Sequence, residues 1–400
     1  MHRHRRYLAI GVALAAAATR SPAADWRITG FFSQGVTVGG NFGLDSGDDA
    51  EEDSDDIDLR ASTNLGLAFR RESDRTALTF APGLRLRYTN AQDADEPVRI
   101  DPRFNGRLDH QGLRYSTFLS ASVVPREVNE IEIEEFEPVE RDATQIAIDA
   151  AAGGSYQLTL RDAVSLTLSG GAREYVGDES GFDPTRRVSV SLDYQRQFRE
   201  TVSGSVNLSN TWFSVDGDDS RDSRATTLSF GLDQQLTSRF GYGFRIGGTQ
   251  TSETAEGEGA SGNGDDSDDF SVIGGANARY AFRDSQIAVS FDQSVDQNID
   301  GDIENRSTLA AQYQYTINSR ESVSLSGRVG FRNPALDLAD GSSGDDDQTL
   351  AISAGYNWAF APDWSLSVGY NFRALREDGG DLERSNSVTI EVSRGLDLLP

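Results

Sequence analysis

Hydrophobic and polar residues alternate with period two along most of this chain. Val188, Val190, Leu192, Tyr194 and Phe198 fall on even positions, while Arg187, Ser189, Ser191, Asp193, Gln195 and Gln197 fall on odd ones. Side chains at that period leave an extended strand on opposite faces, so the segment predicts a strand with one apolar and one polar side. The pattern recurs with Val202, Val206, Leu208 and Trp212 and with Phe240, Tyr242, Phe244 and Ile246. Val323, Leu325, Val329 and Phe331 repeat it, as does a hairpin pairing Leu350–Phe360 with Trp364–Phe372. The strands such runs imply are nearly all ten to fifteen residues long, which suits a tilted membrane-crossing strand better than the five or six residues usual in a soluble sheet.

The connections alternate too. Short ones fall near Arg71–Asp74, Arg161–Asp162, Arg199–Glu200, Thr237–Ser238, Arg283–Asp284, Ser319–Arg320 and Ala361–Asp363. Long polar ones fall near Asp45–Asp56, Ala91–Asp109, Asp216–Asp222, Thr251–Asp269, Asp296–Glu304, Asn333–Asp347 and Arg376–Leu382. An all-β, antiparallel up-and-down barrel is expected, because an open sheet edge in hydrocarbon would leave backbone groups unsatisfied. Eighteen strands are favoured, from roughly Trp26 to roughly Arg394, with sixteen as the alternative. The ambiguity comes from Val128–Phe136, which alternates around Ile131 and Ile133 but carries Glu130, Glu132 and Glu134.

The N-terminus adds an export signature: Arg3, Arg5 and Arg6, the apolar run Leu8–Ala18, and the small residues Ser21 and Ala23 before a cut near residue 24. This reads as a signal peptide over 1–24, followed by a single domain over 25–400. With 64 acidic residues against 37 basic ones the formal net charge is -27, which disfavours nucleic acid as a partner. Every basic residue is arginine. There is no cysteine, so thiol catalysis and disulfides are excluded.

On the export segment and the strand-and-turn pattern over Trp26–Arg394, the chain resembles bacterial outer-membrane β-barrel proteins of the porin-like kind. That resemblance implies residence in the cell outer membrane, contact with its lipid and lipopolysaccharide, and delivery by the barrel assembly machinery. Members of the class commonly end on an aromatic residue; here the sequence runs on past Val392 to Leu399 and Pro400. The implied activity is passive diffusion of small hydrophilic solutes or ions. A structural or adhesive surface barrel, associated with polysaccharide export, is the alternative.

The polar-face assignment directs Arg60, Arg85, Arg87, Arg187, Asp193, Asp233, Arg245, Arg279, Arg328, Arg332 and Arg373 toward the lumen. The less acidic loop Ala91–Asp109 supplies Arg99, Arg103, Phe104 and Arg107 as an expected inward-folding constriction. Asp45–Asp58 and Glu253–Asp269 form acidic mouths, and Asp265, Asp266, Asp268 and Asp269 offer oxygen ligands of the kind calcium takes, without the spacing of a dedicated site. Beyond the export segment the sole histidine is His110, expected on a solvated rim at the start of a strand. No nucleophile with a matched base, phosphate loop or zinc spacing accompanies it, so the sequence reads as a non-enzyme with no cofactor. No residue pattern fixes an oligomeric state.

Overall fold

The computed structural model describes residues 26–40, 57–90, 98–127, 144–176, 183–216, 220–255, 267–297, 303–334, 347–376 and 382–399. The first six strands are β1 Trp26–Gly40, β2 Ile57–Glu72, β3 Thr76–Thr89, β4 Val98–Gln111, β5 Tyr115–Glu127 and β6 Thr144–Gln157. Next come β7 Asp162–Val176, β8 Thr185–Arg199, β9 Val202–Val215, β10 Arg221–Gln235, β11 Phe240–Ala255 and β12 Ser267–Ala281. The last six are β13 Ser285–Gln297, β14 Ile303–Asn318, β15 Glu321–Pro334, β16 Asp347–Ala361, β17 Trp364–Arg376 and β18 Glu383–Leu399.

Each strand pairs antiparallel with its sequence neighbours, and β1 pairs with both β2 and β18, so the 18-stranded sheet closes. Closure removes the edge that a membrane sheet cannot leave open. At the end where both termini lie, tight turns join the strands; the Ser73 amide donates to the Thr76 carbonyl at 2.8 Å and the Phe282 amide to that of Ser285 at 2.7 Å. The longer connections all leave from the opposite end, called the outer end below. The seam is held on its polar side by the Thr37–Thr389 hydroxyl pair at 2.9 Å.

Burial is inverted relative to a soluble protein. Leu67, Leu168, Leu208, Phe230, Ile246 and Ile390 are exposed on the outside of the sheet, while Ser229, Thr249, Thr251, Ser385 and Arg373 are enclosed. An apolar belt facing outward needs lipid to cover it, which is how a tilted membrane strand presents itself. Aromatic residues gather at the short-turn end of that belt. Phe240, Tyr280 and Phe282 stack in sequence, as do Trp358, Phe360 and Trp364. Arg394 lies 5.0 Å from the Trp364 ring centre. Such residues suit the headgroup boundary, with an apolar body and a polar edge.

Three expectations change. The loop anticipated over Ala91–Asp109 is mostly strand, since β4 begins at Val98 and pairs with β3 from Tyr88↔Val98 onward. Arg99, Arg103, Phe104 and Arg107 are therefore wall residues rather than a constriction loop; Phe104 packs outside against Phe80 at 5.3 Å. His110 lies near the end of β4, not at a strand start, and its Nδ1 pairs with Thr76 Oγ1 at 2.9 Å. The last strand extends beyond Arg394 to Leu399, which sits opposite Ile28 of β1. The eighteen strands are obtained without Val128–Phe136, which lies outside the described residues, as do residues 1–24.

Candidate functional site: the lumen and its outer constriction

Pairing register fixes the inner face. From Gly171↔Arg187 and Ser165↔Asp193 through Asp193↔Asn207 and Ser203↔Asp233 to Gly231↔Arg245 and Gly241↔Arg279, one polar row passes from strand to strand. It continues through Ala310↔Arg328, Arg332↔Asp347 and Arg373↔Ser385. Arg85 and Arg87 stand opposite Asn64 and Ser62, and Arg60 lies in line with them. All are on the face away from the apolar belt. Arg99, Asp101, Arg103 and Arg107 of β4 join them through Arg87↔Arg99, Arg85↔Asp101, Gly83↔Arg103 and Thr79↔Arg107.

Most of these arginines sit toward the outer end, and ion pairs hold several of them. Arg87 Nη2 lies 2.7 Å from Asp101, with Arg99 Nε at 3.4 Å. Arg332 lies 3.6 Å from Glu304 and 3.4 Å from Asp347. Arg173 meets Asp149 at 3.0 Å, and Asn207 donates to Asp193 at 2.8 Å. Arg245 on β11 reaches over β12 to Asp292 on β13 at 2.8 Å. Gly275 is the β12 residue beneath that bridge; a Cβ there would meet the Asp292 carboxylate at 3.1 Å and press it aside by a few tenths of an ångström.

One pair crosses the lumen. Arg187 Nη1 on β8 lies 3.2 Å from Asp296 Oδ1 on β13. In a round 18-stranded barrel, spaced ~4.8 Å and tilted ~40°, walls five strands apart would stand roughly 28 Å from each other. One arginine and one aspartate do not span that gap. The wall around the outer end of β13 is instead drawn inward, and beside the ion pair Ile303 packs with Phe213 of β9 and Ala225 of β10, with Val295 against them. Below this contact is a cavity of about 910 Å³, lined by Arg107, Arg173, Arg187, Arg306 and Arg328 with Asp149, Asp292 and Asp296. A second, of about 510 Å³, lies toward the short turns beside Asp233 and Arg279; Ser290 borders both.

No protein-family profile matches the sequence. No curated protein matches it either. Solved structures do resemble it. Acinetobacter baumannii OccAB2 aligns at 8% identity and TM-score 0.50, covering 94% of this chain and 98% of that one. Pseudomonas aeruginosa OpdO aligns at 9% identity and TM-score 0.50, with the same coverage. The outer membrane protein opdK from P. aeruginosa aligns at 10% identity and TM-score 0.47, covering 93% and 99%. The fold is that of an outer-membrane β-barrel.

The sequence reading did not single out Asp101 beside Arg87, Asp292 beside Arg245, or Asp296 and Phe213 at the inward-drawn end of β13. Phe213 alone left a signal, since it interrupts the polar row Ser203, Ser205, Asn207, Ser209 and Thr211. Of the acidic calcium candidates, Asp265 and Asp266 lie outside the described residues, whereas Asp268 and Asp269 belong to β12. Among the described residues no three His, Cys, Asp or Glu side chains come together as a metal site.

Proposed function

We propose that the protein is a passive diffusion channel for small hydrophilic solutes, with an arginine-rich filter in its outer half. The observation that carries this reading is the polar 910 Å³ chamber, which meets the lower cavity at Ser290 inside a closed barrel. Among the described residues its lining is polar or small, unlike the filled interior of a small eight-stranded barrel. Its five arginines outnumber its three aspartates, so the lining favours anions and the anionic groups of zwitterionic solutes. The acidic segments Asp45–Asp58 and Glu253–Asp269 would form an outer vestibule, bridged to lipopolysaccharide by divalent cations. The 1–24 segment would direct export and be removed.

Purified protein reconstituted into planar bilayers tests this. Stepwise conductance with a reversal potential on the anion-selective side is expected under a salt gradient. Repeated insertion of folded barrel with no conductance would sink the channel reading and favour a structural or adhesive role.

A further inference from the structure

The wall does not close to the same height all round. β12 pairs with β13 only over Gly274–Ala281, although β12 remains paired with β11 up to Ser267 and β13 with β14 up to Gln297. Among the described residues, β12 from Ser267 to Ile273 and β13 from Ser294 to Gln297 thus have no ladder between them. The β13 edge lies inside the barrel instead. There Asp296 meets Arg187, and Val295 and Ile303 meet Phe213 and Ala225.

The abandoned position fits the same residues. Extending the register beyond Gly274↔Gln293 would place Ser294 opposite Ile273, Val295 opposite Val272, Asp296 opposite Ser271 and Gln297 opposite Phe270. Val295 would then join, at the upper rim of the belt, the outward apolar row of Val272 and Phe270, which are 57% and 67% exposed. Asp296 would stay on the inner face beside Ser271. The edge therefore has two packings of matching polarity, one across the lumen and one in the wall. The first is fastened by a half-exposed ion pair, 53% and 49% accessible, of the kind that holds weakly in water, and by the cover over Phe213. The second gains backbone hydrogen bonds along two free edges. Two discrete arrangements of one edge make a switch element.

We propose that the outer edge of β13 is a latched gate. Latched to Arg187 and Phe213 it narrows the outer lumen; returned to β12 it widens it. This rests on the channel reading above.

The natural chain has no cysteine, so introduced pairs report alone. In the full-length protein in lipid, Val272→Cys with Val295→Cys should form a disulfide under mild oxidation, because paired positions bring Cα atoms within bonding range. Single-channel conductance should rise at least twofold and fall back on reduction. Arg187→Cys with Asp296→Cys, joined by a short bis-maleimide, should hold conductance at its lowest level. Asp296→Asn without any cysteine should lengthen the wide state severalfold, which guards against a misfolded double variant. Failure of the 272–295 disulfide to form in heat-modifiable, folded barrel would overturn the gate, as would its formation in a conducting channel without any change in conductance. A disulfide that forms and reverses in a protein that never conducts would leave the moving edge standing and remove the channel reading instead.

Discussion

Asp101 is 2% exposed and holds Arg87, itself 7% exposed, at 2.7 Å. A charge pair this enclosed returns its desolvation cost only while both members are present. Asp101→Asn should lower unfolding free energy by on the order of 3–5 kcal/mol, whereas replacing both residues with leucine should cost far less. Urea midpoints of lipid-reconstituted protein measure both; equal losses would contradict the pairing. A second residue-scale test concerns Gly66, over which the Phe31 ring lies on the inner face, so that a Cβ there collides with it. Gly66→Ala should destabilise by roughly 1–3 kcal/mol. Most of that loss should vanish in the background of Phe31→Ala. Neither contact was legible in the sequence, because side chains meeting across strands depend on register, and alternation specifies a face without specifying a partner.

At the scale of the element, the strands and tight turns were legible because each strand faces two different solvents, lipid outside and polar lumen inside. That difference writes itself into alternate residues over the whole length of the wall. The segment Ala91–Asp109 was misread for a physical reason. Pro102 breaks the pattern expected of a central strand, but at that height β4 pairs with β3 alone, since its ladder with β5 begins at Phe104↔Val123. A strand with one free edge tolerates a missing N–H donor. Pro125 of β5 sits on the other side of the same gap and pairs only with β6, at Ile146. The ladders that remain at the two gaps, Phe104–Gln111 and Gly274–Ala281, rise on the order of 20 Å at ~40° tilt. This nearly matches the ~25 Å apolar band, so both gaps open at about the height where water can satisfy free backbone groups. Strand anchoring yields its own test. Trp364 bears the Arg394 guanidinium on its face and Phe360 at 6.2 Å. Trp364→Ala should cost about 1 kcal/mol or more in bilayer unfolding, and Trp364→Phe appreciably less. Equal effects of the two substitutions would rule out the ring as the anchor.

For the whole molecule, the channel reading sets two fields of opposite sign on a permeating ion. The carboxylates of Asp45–Asp58 and Glu253–Asp269 belong to the outer connections and flanking strand ends, while the chamber lining carries Arg107, Arg173, Arg187, Arg306 and Arg328. They differ in how salt reaches them. The Debye length falls from ~30 Å at 0.01 M to ~3 Å at 1 M, so charges standing in open solvent lose their hold on the pore axis first. Charges lining a narrow passage with low-dielectric walls keep theirs longer. Anion preference, measured from reversal potentials under a fixed concentration ratio, should therefore grow as mean salt rises. A preference that stays flat or shrinks would place the filter in the loops. Arg328 separates the two sources further, since it lines the main chamber and the smaller cavity beside Arg373. Arg328→Glu reverses one charge inside the chamber and leaves the loops untouched, so it should lower anion preference at every salt concentration. Neutralising Asp48, Asp49, Glu51 and Glu52 should raise it only at low salt. If Arg328→Glu leaves the ratio unchanged while the loop variant alters it at 1 M, selectivity is set at the vestibule rather than among the arginines.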